Sequence, residues 1–183
     1  VCPKDKEFAM KRLTLFVLLL IAALAVAGCG LVATGDQAAE RAAEIAQFEL
    51  PAGFSPEAGV SLAGTTMVTY SHSDGRSHIF LIQAPGSSGM TAAQLEQSLR
   101  DSLASSQGAG AVEMQDTEEV PLTIRGEQVT GLMGTGQSSS DNTSYSALTV
   151  PFTGDGGPAL LMIQRPTDSW DQAEVDAFLA SFE

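Results

Sequence analysis

Residues 144–164 read SYSALTVPFTGDGGPALLMIQ. The stretch contains two largely apolar runs, residues 144–152 and 159–164, each of a length typical of a β-strand. Between them lies the turn sequence TGDGG (residues 153–157), and glycine supplies the positive φ angles that tight hairpin turns require. These residues therefore predict a β-hairpin of two antiparallel strands.

Further strand patterns flank this hairpin on the N-terminal side. A second hairpin is predicted from strands at 65–71 and 78–84 around the turn sequence SDGR. The other predicted strands lie at residues 48–54, 112–118, 120–125 and 127–134. Because consecutive strands are joined by short turns rather than by helices, we expect an α+β fold with an antiparallel β-sheet covered by helices, not a doubly wound parallel sheet.

Two amphipathic helices are predicted in this domain. The first begins at Thr91, a plausible N-cap with Gln94 three residues later, and Met90 and Leu95 are spaced for a hydrophobic staple. The second is predicted to begin at a Ser169 cap and to carry a helical apolar stripe. That stripe consists of Val175, Phe178, Leu179 and Phe182.

Residues 10–29 have the pattern of an export signal: Lys11 and Arg12, an apolar run, and the closing sequence VAGC. The four residues that end at Cys29 resemble the lipobox of bacterial lipoproteins. This resemblance implies that the Cys29 thiol is lipidated and becomes the new N-terminus after cleavage. Residues 1–9 would then be an upstream extension, with Met10 as the true start of the protein.

The apolar run also continues to Ala33, and about 20 apolar residues suffice to cross a bilayer. An uncleaved single-pass anchor and full secretion therefore stay open beside lipidation. All three alternatives place the rest of the chain outside the cytoplasm. Basic residues before the run and acidic residues after it favour the same orientation.

The predicted domain organisation has three parts. Residues 1–28 form the signal peptide, residues 29–47 form a lipidated N-terminus with a helical stalk, and residues 48–183 form a single α+β domain. The stalk is predicted at residues 36–47, where a weak alanine-rich stripe recurs among charged residues.

The exported residues are strongly acidic. Residues 29–183 contain 20 acidic residues, five arginines and no lysine, which gives a formal charge of −15. Such a chain repels nucleic acid phosphates and anionic lipid headgroups. We therefore expect no nucleic-acid partner, and we expect membrane attachment to come from the N-terminal lipid or apolar helix.

The order of elements resembles that of the PsbP-like family, which includes the DcrB-like and LpqN-like bacterial lipoproteins. The resemblance is carried by the sequence FELPAGF (residues 48–54), the helix at 90–106, the strand at 126–136 and the closing helix at 169–182. It implies an α/β/α sandwich and an extracytoplasmic binding or assembly role. It implies no shared catalytic residues.

One turn brings together residue types that bind metals. His72, Asp74 and His78 flank the second predicted hairpin turn, where cross-strand neighbours approach to about 5 Å, so two imidazoles and a carboxylate are candidate ligands for Zn²⁺ or Cu²⁺. Strand alternation also allows the two histidines to point to opposite faces. The alternative interpretation is that they are exposed hairpin residues.

No nucleophile elbow of the G-x-S-x-G type is present in the sequence, and the neighbouring Ser, His and Asp residues of the turn lie too close in sequence to form an oriented relay. We therefore expect a non-enzymatic, membrane-anchored extracytoplasmic protein that binds a protein partner or a small ligand, without a cofactor. The alternative is a metal-binding extracytoplasmic protein that uses His72, Asp74 and His78.

Overall fold

The computed structural model describes residues 32–92, 94–98, 112–138 and 142–183, with the backbone alone for residues 112–116. The chain divides into two compact units, Val1–Val32 and Ala33–Glu183, and the fold reported below is that of the second. The predicted export signal at residues 10–29, including Cys29, lies outside the described residues. Within the described ranges, no helix has the length and apolar character needed to cross a membrane.

The described residues form one eight-stranded sheet with helices packed on it. The strands are β1 (Val32–Thr34), β2 (Phe54–Leu62), β3 (Thr65–His72), β4 (His78–Gln83), β5 (Val112–Ile124), β6 (Glu127–Ser138), β7 (Ser144–Gly154) and β8 (Gly157–Pro166). The helices are α1 (Asp36–Ala43), α2, which follows Thr91 and includes residues 92 and 94–98, and α3 (Gln172–Ala180). Short 3₁₀ turns lie at Gly86–Ser88 and Thr167–Ser169.

The strand order is β1-β2-β3-β4-β8-β7-β6-β5. From β2 onward, every strand in this order pairs antiparallel with its neighbour, up to β5 at the edge of the sheet. The hairpin of β7 and β8 lies inside the sheet, and its register runs from Tyr145 opposite Pro166 to Gly154 opposite Gly157. The prediction of an α+β fold with an antiparallel sheet is therefore confirmed.

The main core lies between one face of the sheet and helices α1 and α3. Val68, Leu81, Leu161 and Val150 are neighbours across four strands, and each is at most 1% exposed. Alternation along each strand places these residues on the same face. The predicted apolar stripe of the last helix packs against this face through Val175, Phe178, Leu179 and Phe182.

Helix α2 packs on the opposite face of the sheet. Its N-terminus has the predicted capping box, because the Gln94 amide donates to the Thr91 hydroxyl at 3.2 Å and the Thr91 amide donates to Gln94 Oε1 at 2.8 Å. Leu95 is buried with Ile82 and Leu160, which are directly opposite each other on β4 and β8. The part of the predicted helix beyond residue 98, including Leu99 and Leu103, lies outside the described residues.

The prediction of a helical stalk at residues 36–47 is wrong, because this segment belongs to the folded domain. Ala38 and Ala42 on α1 are at most 1% exposed, as are Ile45 and Ala46 after it. Helix α1 lies against β2, where the Arg41 guanidinium donates to the Gly59 carbonyl oxygen at 3.2 Å. The domain thus begins at Ala33 and not at residue 48.

The predicted strand at residues 48–54 is also wrong. The Glu49 amide donates to Ser181 Oγ at 3.1 Å, and the Glu183 amide donates to the Gln47 carbonyl oxygen at 3.0 Å, so this segment bonds to the C-terminus. The Phe48 ring enters the core, with its centroid 4.8 Å from that of Phe182. The strand that follows this segment is β2, which begins at Phe54 and was not predicted.

Two further boundaries also differ from prediction. The two strands predicted at 112–118 and 120–125 are one strand, β5, with a bulge between Met114 and Thr117. The cap of α3 is Asp171 and not Ser169, because the Asp171 carboxylate accepts hydrogen bonds from the Ala173 and Glu174 amides. Ser169 instead ends the preceding 3₁₀ turn.

Candidate functional site

A groove of about 540 Å³ opens between α3 and the hairpin of β5 and β6. Its apolar surface comes from Leu122 and Val129, which are cross-strand neighbours, and from Leu179 on the helix. The remaining lining residues are Pro121, Thr123, Gln128, Thr130, Asp176 and Ala180. The volume falls in the range of about 300–1,000 Å³ that small-molecule sites occupy.

The groove lies where β6 separates from β7: their pairing ends at Leu132 and Thr149, although β7 continues to Gly154. The register between β6 and β7 covers Leu132 to Gln137 of β6, whereas residues 127–131 of β6 pair with β5. This part of the hairpin is therefore unpaired with β7 and stands next to α3. At Gly131 the approach is close, since a Cβ there would lie 3.0 Å from the Thr149 carbonyl oxygen.

The tip of the same hairpin is bonded to the hairpin of β7 and β8. Arg125 and Gly126 have φ angles of 53° and 73° and form a two-residue turn with positive φ at both positions, as a type I′ turn requires. The Arg125 guanidinium donates to the Thr153 carbonyl oxygen at 3.0 Å and pairs with the Asp155 carboxylate at 2.9 Å. These contacts fix the position of one wall of the groove.

Helix α3 forms the other wall and is held by an ion pair near its N-terminus. The guanidinium of Arg165, at the end of β8, donates to the Glu174 carboxylate at 2.6 Å. The Arg165 side chain also lies over the Phe54 ring, 5.8 Å from its centroid. Within the helix, Gln172 donates to the Asp176 carboxylate at 2.8 Å, and Asp176 faces the groove.

The chemistry of the groove follows from its lining. An apolar floor takes up the apolar part of a ligand, and hydroxyl, amide and carboxylate groups at the rim provide hydrogen bonds. Asp176 is the charged side chain of the lining, so the groove repels an anion and accepts a neutral or cationic group. The lining can therefore bury the apolar surface of a ligand and form hydrogen bonds to its polar groups.

The hairpin turn predicted to carry a metal site is organised by Asp74. One oxygen of the Asp74 carboxylate accepts from the Arg76 and Ser77 amides at 2.7 and 2.8 Å, and the other accepts from Ser77 Oγ at 2.7 Å. Partial burial raises the pKa of Asp74, but these hydrogen bonds and the nearby His72 outweigh it and hold that pKa well below its usual range. Asp74 therefore stabilises the turn as a carboxylate.

The His72 ring is enclosed by its neighbours. Its Nδ1 accepts from the Asp74 amide at 3.2 Å and lies 3.2 Å from the Asp74 carboxylate. Its Nε2 lies against Gly53, where a Cβ would be only 2.4 Å from that nitrogen, and its ring centroid is 5.0 Å from that of Phe54. Both ring nitrogens thus have close protein neighbours.

The two histidines lie on opposite faces of the sheet. His78 is directly opposite Ser71, and its Nδ1 is 3.3 Å from Ser71 Oγ. Since successive residues alternate between faces, His72 points to the other side from Ser71 and His78. The structure thus brings His72 and Asp74 together and separates His78 from them. Among the residues that the structure describes, no three His, Cys, Asp or Glu side chains are grouped so that they could hold a metal ion.

Sequence reasoning did not find the groove. The local signals were Pro121 and Pro151 inside otherwise strand-like runs, since proline in a strand indicates a sheet edge or a position without a ladder hydrogen bond. The groove depends on the separation of β6 from β7 beyond Leu132, and no local pattern in β5 or β6 contains that information.

Comparisons with family models and with curated proteins gave no match. Among solved structures, the chain is similar to one described as "Crystal structure of LpqN involved in cell envelope biogenesis of Mycobacterium tuberculosis". The two are 12% identical in sequence, the match covers 75% of this chain and 81% of the other, and the TM-score is 0.39. Values this low assign neither a family nor a function to the chain.

Proposed function

We propose that this protein is a membrane-anchored extracytoplasmic lipoprotein that binds a small, predominantly apolar ligand in the groove between α3 and the hairpin of β5 and β6, without catalysing a reaction. The observation that carries the proposal is the groove itself, about 540 Å³ in volume with Leu122, Val129 and Leu179 in its lining. Ligand sites of this size commonly combine apolar side chains with a few polar groups, and Thr123, Gln128, Thr130 and Asp176 supply the polar groups here.

The charge of the domain narrows the class of ligand. Residues 33–183 carry the formal charge of −15, and Asp176 lies in the lining. Fatty acids, phospholipids and other anions would be repelled on approach and would lack a cationic partner among the lining residues. The proposed ligand is therefore a neutral or cationic molecule with an apolar body.

The proposed location rests on the export signal. Its basic start, apolar centre and closing Cys29 support attachment through a lipid on that cysteine, in the manner of bacterial lipoproteins. The helices on both faces of the sheet support a PsbP-like α/β/α sandwich of the LpqN-like type. In this proposal residues 36–47 belong to the domain and not to a spacer, because α1 packs into the domain.

The groove is tested by titrating the purified protein with Nile red, a neutral apolar fluorophore. We expect saturable binding that the Val129→Gln variant weakens at least fivefold, because an amide in the floor must be desolvated to bind the dye. Leu62→Gln is the matched control, since Leu62 is 67% exposed on β2 and outside the lining. Equal binding by both variants, or no saturable binding, would overturn the proposed site.

The anchor is tested separately by the intact mass of protein extracted from bacterial membranes. Lipidation predicts loss of residues 1–28 and addition of an acyl-glyceryl group, and a Cys29→Ala variant should retain the signal. Recovery of the wild-type protein with residues 13–28 intact would reject lipidation and favour the single-pass anchor.

A further inference from the structure

Strand β5 is the last strand of the sheet, and it is long. It has 13 residues and pairs on one side with β6, while no strand among the described residues pairs with its outer side. A free strand edge presents unpaired amide and carbonyl groups, to which another extended chain can add.

The turn at the hairpin tip determines which backbone groups face outward. In a two-residue hairpin the closing pair, here Ile124 and Glu127, exchanges both of its backbone hydrogen bonds. Every second residue back along β5 then bonds to β6, and the residues between them turn their amide and carbonyl groups to the open edge. The outward set is Thr117, Glu119, Pro121 and Thr123, and the side chains of all four are exposed.

Pro121 agrees with this assignment. Proline has no amide hydrogen, so within a sheet it is tolerated where the missing donor would have faced solvent. In the outward set it interrupts the row of donors at one position without removing a hydrogen bond to β6. The carbonyl oxygen of Pro121 and the donors of Thr117, Glu119 and Thr123 are left on the open edge.

The edge is also strongly acidic. The sequence of β5 contains four acidic residues and no basic one, and Glu118 and Glu119 have exposed side chains next to the outward backbone groups. Strand edges are often protected by lysine, and residues 29–183 contain none. If β5 of a second copy paired with this edge, strands of like charge would face each other at a distance of about 5 Å. Pairing between two copies is therefore disfavoured.

We propose that the outer edge of β5 from Thr117 to Thr123 binds an extended, lysine- or arginine-rich segment of another protein, which adds to the sheet as a ninth strand. Backbone hydrogen bonds to the outward groups provide the pairing, and Glu118 and Glu119 select a cationic segment. Pro121 and Thr123 of this edge also line the groove, whereas Glu118 and Glu119 do not, so the charge selection proposed here is separate from the ligand groove.

The test uses an eight-residue peptide of alternating lysine and valine, labelled with tetramethylrhodamine, and fluorescence anisotropy with the purified protein. We expect binding in 20 mM NaCl that weakens at least tenfold in 500 mM NaCl, since salt screens charge attraction. Two variants separate charge from strand pairing. Glu119→Gln removes only the charge, whereas Glu119→Pro removes the same charge and the outward amide hydrogen.

We expect Glu119→Gln to weaken binding two- to threefold and Glu119→Pro to weaken it a further tenfold or more. A peptide N-methylated at every internal amide keeps its charge and loses its donors, so it should not bind the wild-type protein; this comparison needs no variant to fold. Equal affinity of the two variants, equal binding of the N-methylated peptide, or no binding at all would overturn the proposal. Nile red binding by Glu119→Pro should stay at the wild-type level, which separates this result from that of the groove.

Discussion

Tyr70 shows how burial of one polar side chain couples stability to pH. Its side chain is 3% exposed in the core, with the ring 5.9 Å from that of Phe48 in an edge-on arrangement. Burial disfavours the ionised phenolate and raises the pKa of Tyr70 to about 12. In the unfolded chain a tyrosine titrates near its ordinary value of about 10.

In the pH range between these two pKa values, Tyr70 is therefore protonated in the folded state and ionised in the unfolded state. The stabilisation is complete below pH 10 and is lost as the pH rises to about 12, with a slope of at most about 1.4 kcal/mol per pH unit. We expect the free energy of urea unfolding to fall across this range for the wild-type protein. Tyr70→Phe should show a flatter profile, because phenylalanine does not titrate.

The composition of the domain limits the other groups that titrate in this range. Residues 33–183 contain no lysine, and Tyr145 is the other tyrosine. Tyr145→Phe is the matched control and should keep the alkaline loss of stability that Tyr70 causes. If Tyr70→Phe and the wild-type protein lose stability in parallel between pH 10 and 12, then burial of Tyr70 does not explain the loss.

At the scale of elements, helix α1 is the clearest case in which packing changes the role of a segment. Ala42 is 1% exposed in the core, whereas the next residue, Ala43, is exposed. A glutamate at Ala42 would be forced into a packed core without a partner, and we expect it to lower the free energy of unfolding by about 3 kcal/mol or more.

Ala43→Glu adds the same side chain to the same helix one residue away. Substitutions at exposed sites usually change stability by within about 0.5 kcal/mol, and we expect this variant to fall in that range. The comparison is made by chemical denaturation of the two variants and the wild-type protein. A free stalk at residues 36–47 would make both variants neutral, and that result would contradict the packing of α1.

The elements that local pattern predicts well are those with strong apolar periodicity. Strands β3 and β4 were predicted at 65–71 and 78–84 and lie at Thr65–His72 and His78–Gln83. Strand β2 was missed, because its sequence FSPEAGVSL contains few large apolar residues and most of its positions are half-buried or exposed. Its pairing with β3 across a short turn, not its own apolar pattern, makes it a strand.

The candidate site could be predicted only in part, for a related reason. The turn of Asp74 is a local motif, so the sequence located it, and strand alternation already allowed His72 and His78 to point apart. The groove depends on the placement of Leu179 beside the hairpin pair Leu122 and Val129, about 50 residues earlier in the sequence, and on the separation of β6 from β7 beyond Leu132. Hydrophobic periodicity predicts that such residues are buried but not which of them meet.

At the scale of the whole molecule, the dominant feature is repulsion among like charges. Residues 33–183 hold 20 acidic residues and five arginines. Two of the arginines, Arg125 and Arg165, pair with Asp155 and Glu174 at 2.9 and 2.6 Å. The Arg125–Asp155 pair is partly exposed and contributes at most about 1 kcal/mol, so screening it costs little. Arg165 is only 8% exposed, and salt screens a partly buried pair much less. Screening the repulsion among the excess carboxylates, in contrast, favours the compact state.

We therefore expect salt to stabilise this domain. Raising NaCl from 20 to 300 mM shortens the screening length from roughly 20 Å to about 6 Å, so carboxylates on distant parts of the surface no longer repel one another. The gain should be about 1 kcal/mol, which corresponds to a rise in Tm of roughly 2–4 °C for a domain of this size. Differential scanning fluorimetry in NaCl and in NaClO4 at equal ionic strength separates screening from specific ion effects, because screening predicts a rise in both salts. A Tm that falls in both would mean that the attractive pairs of Arg125 and Arg165 outweigh the repulsion, whereas a rise in both would support charge repulsion as the main electrostatic cost of this fold.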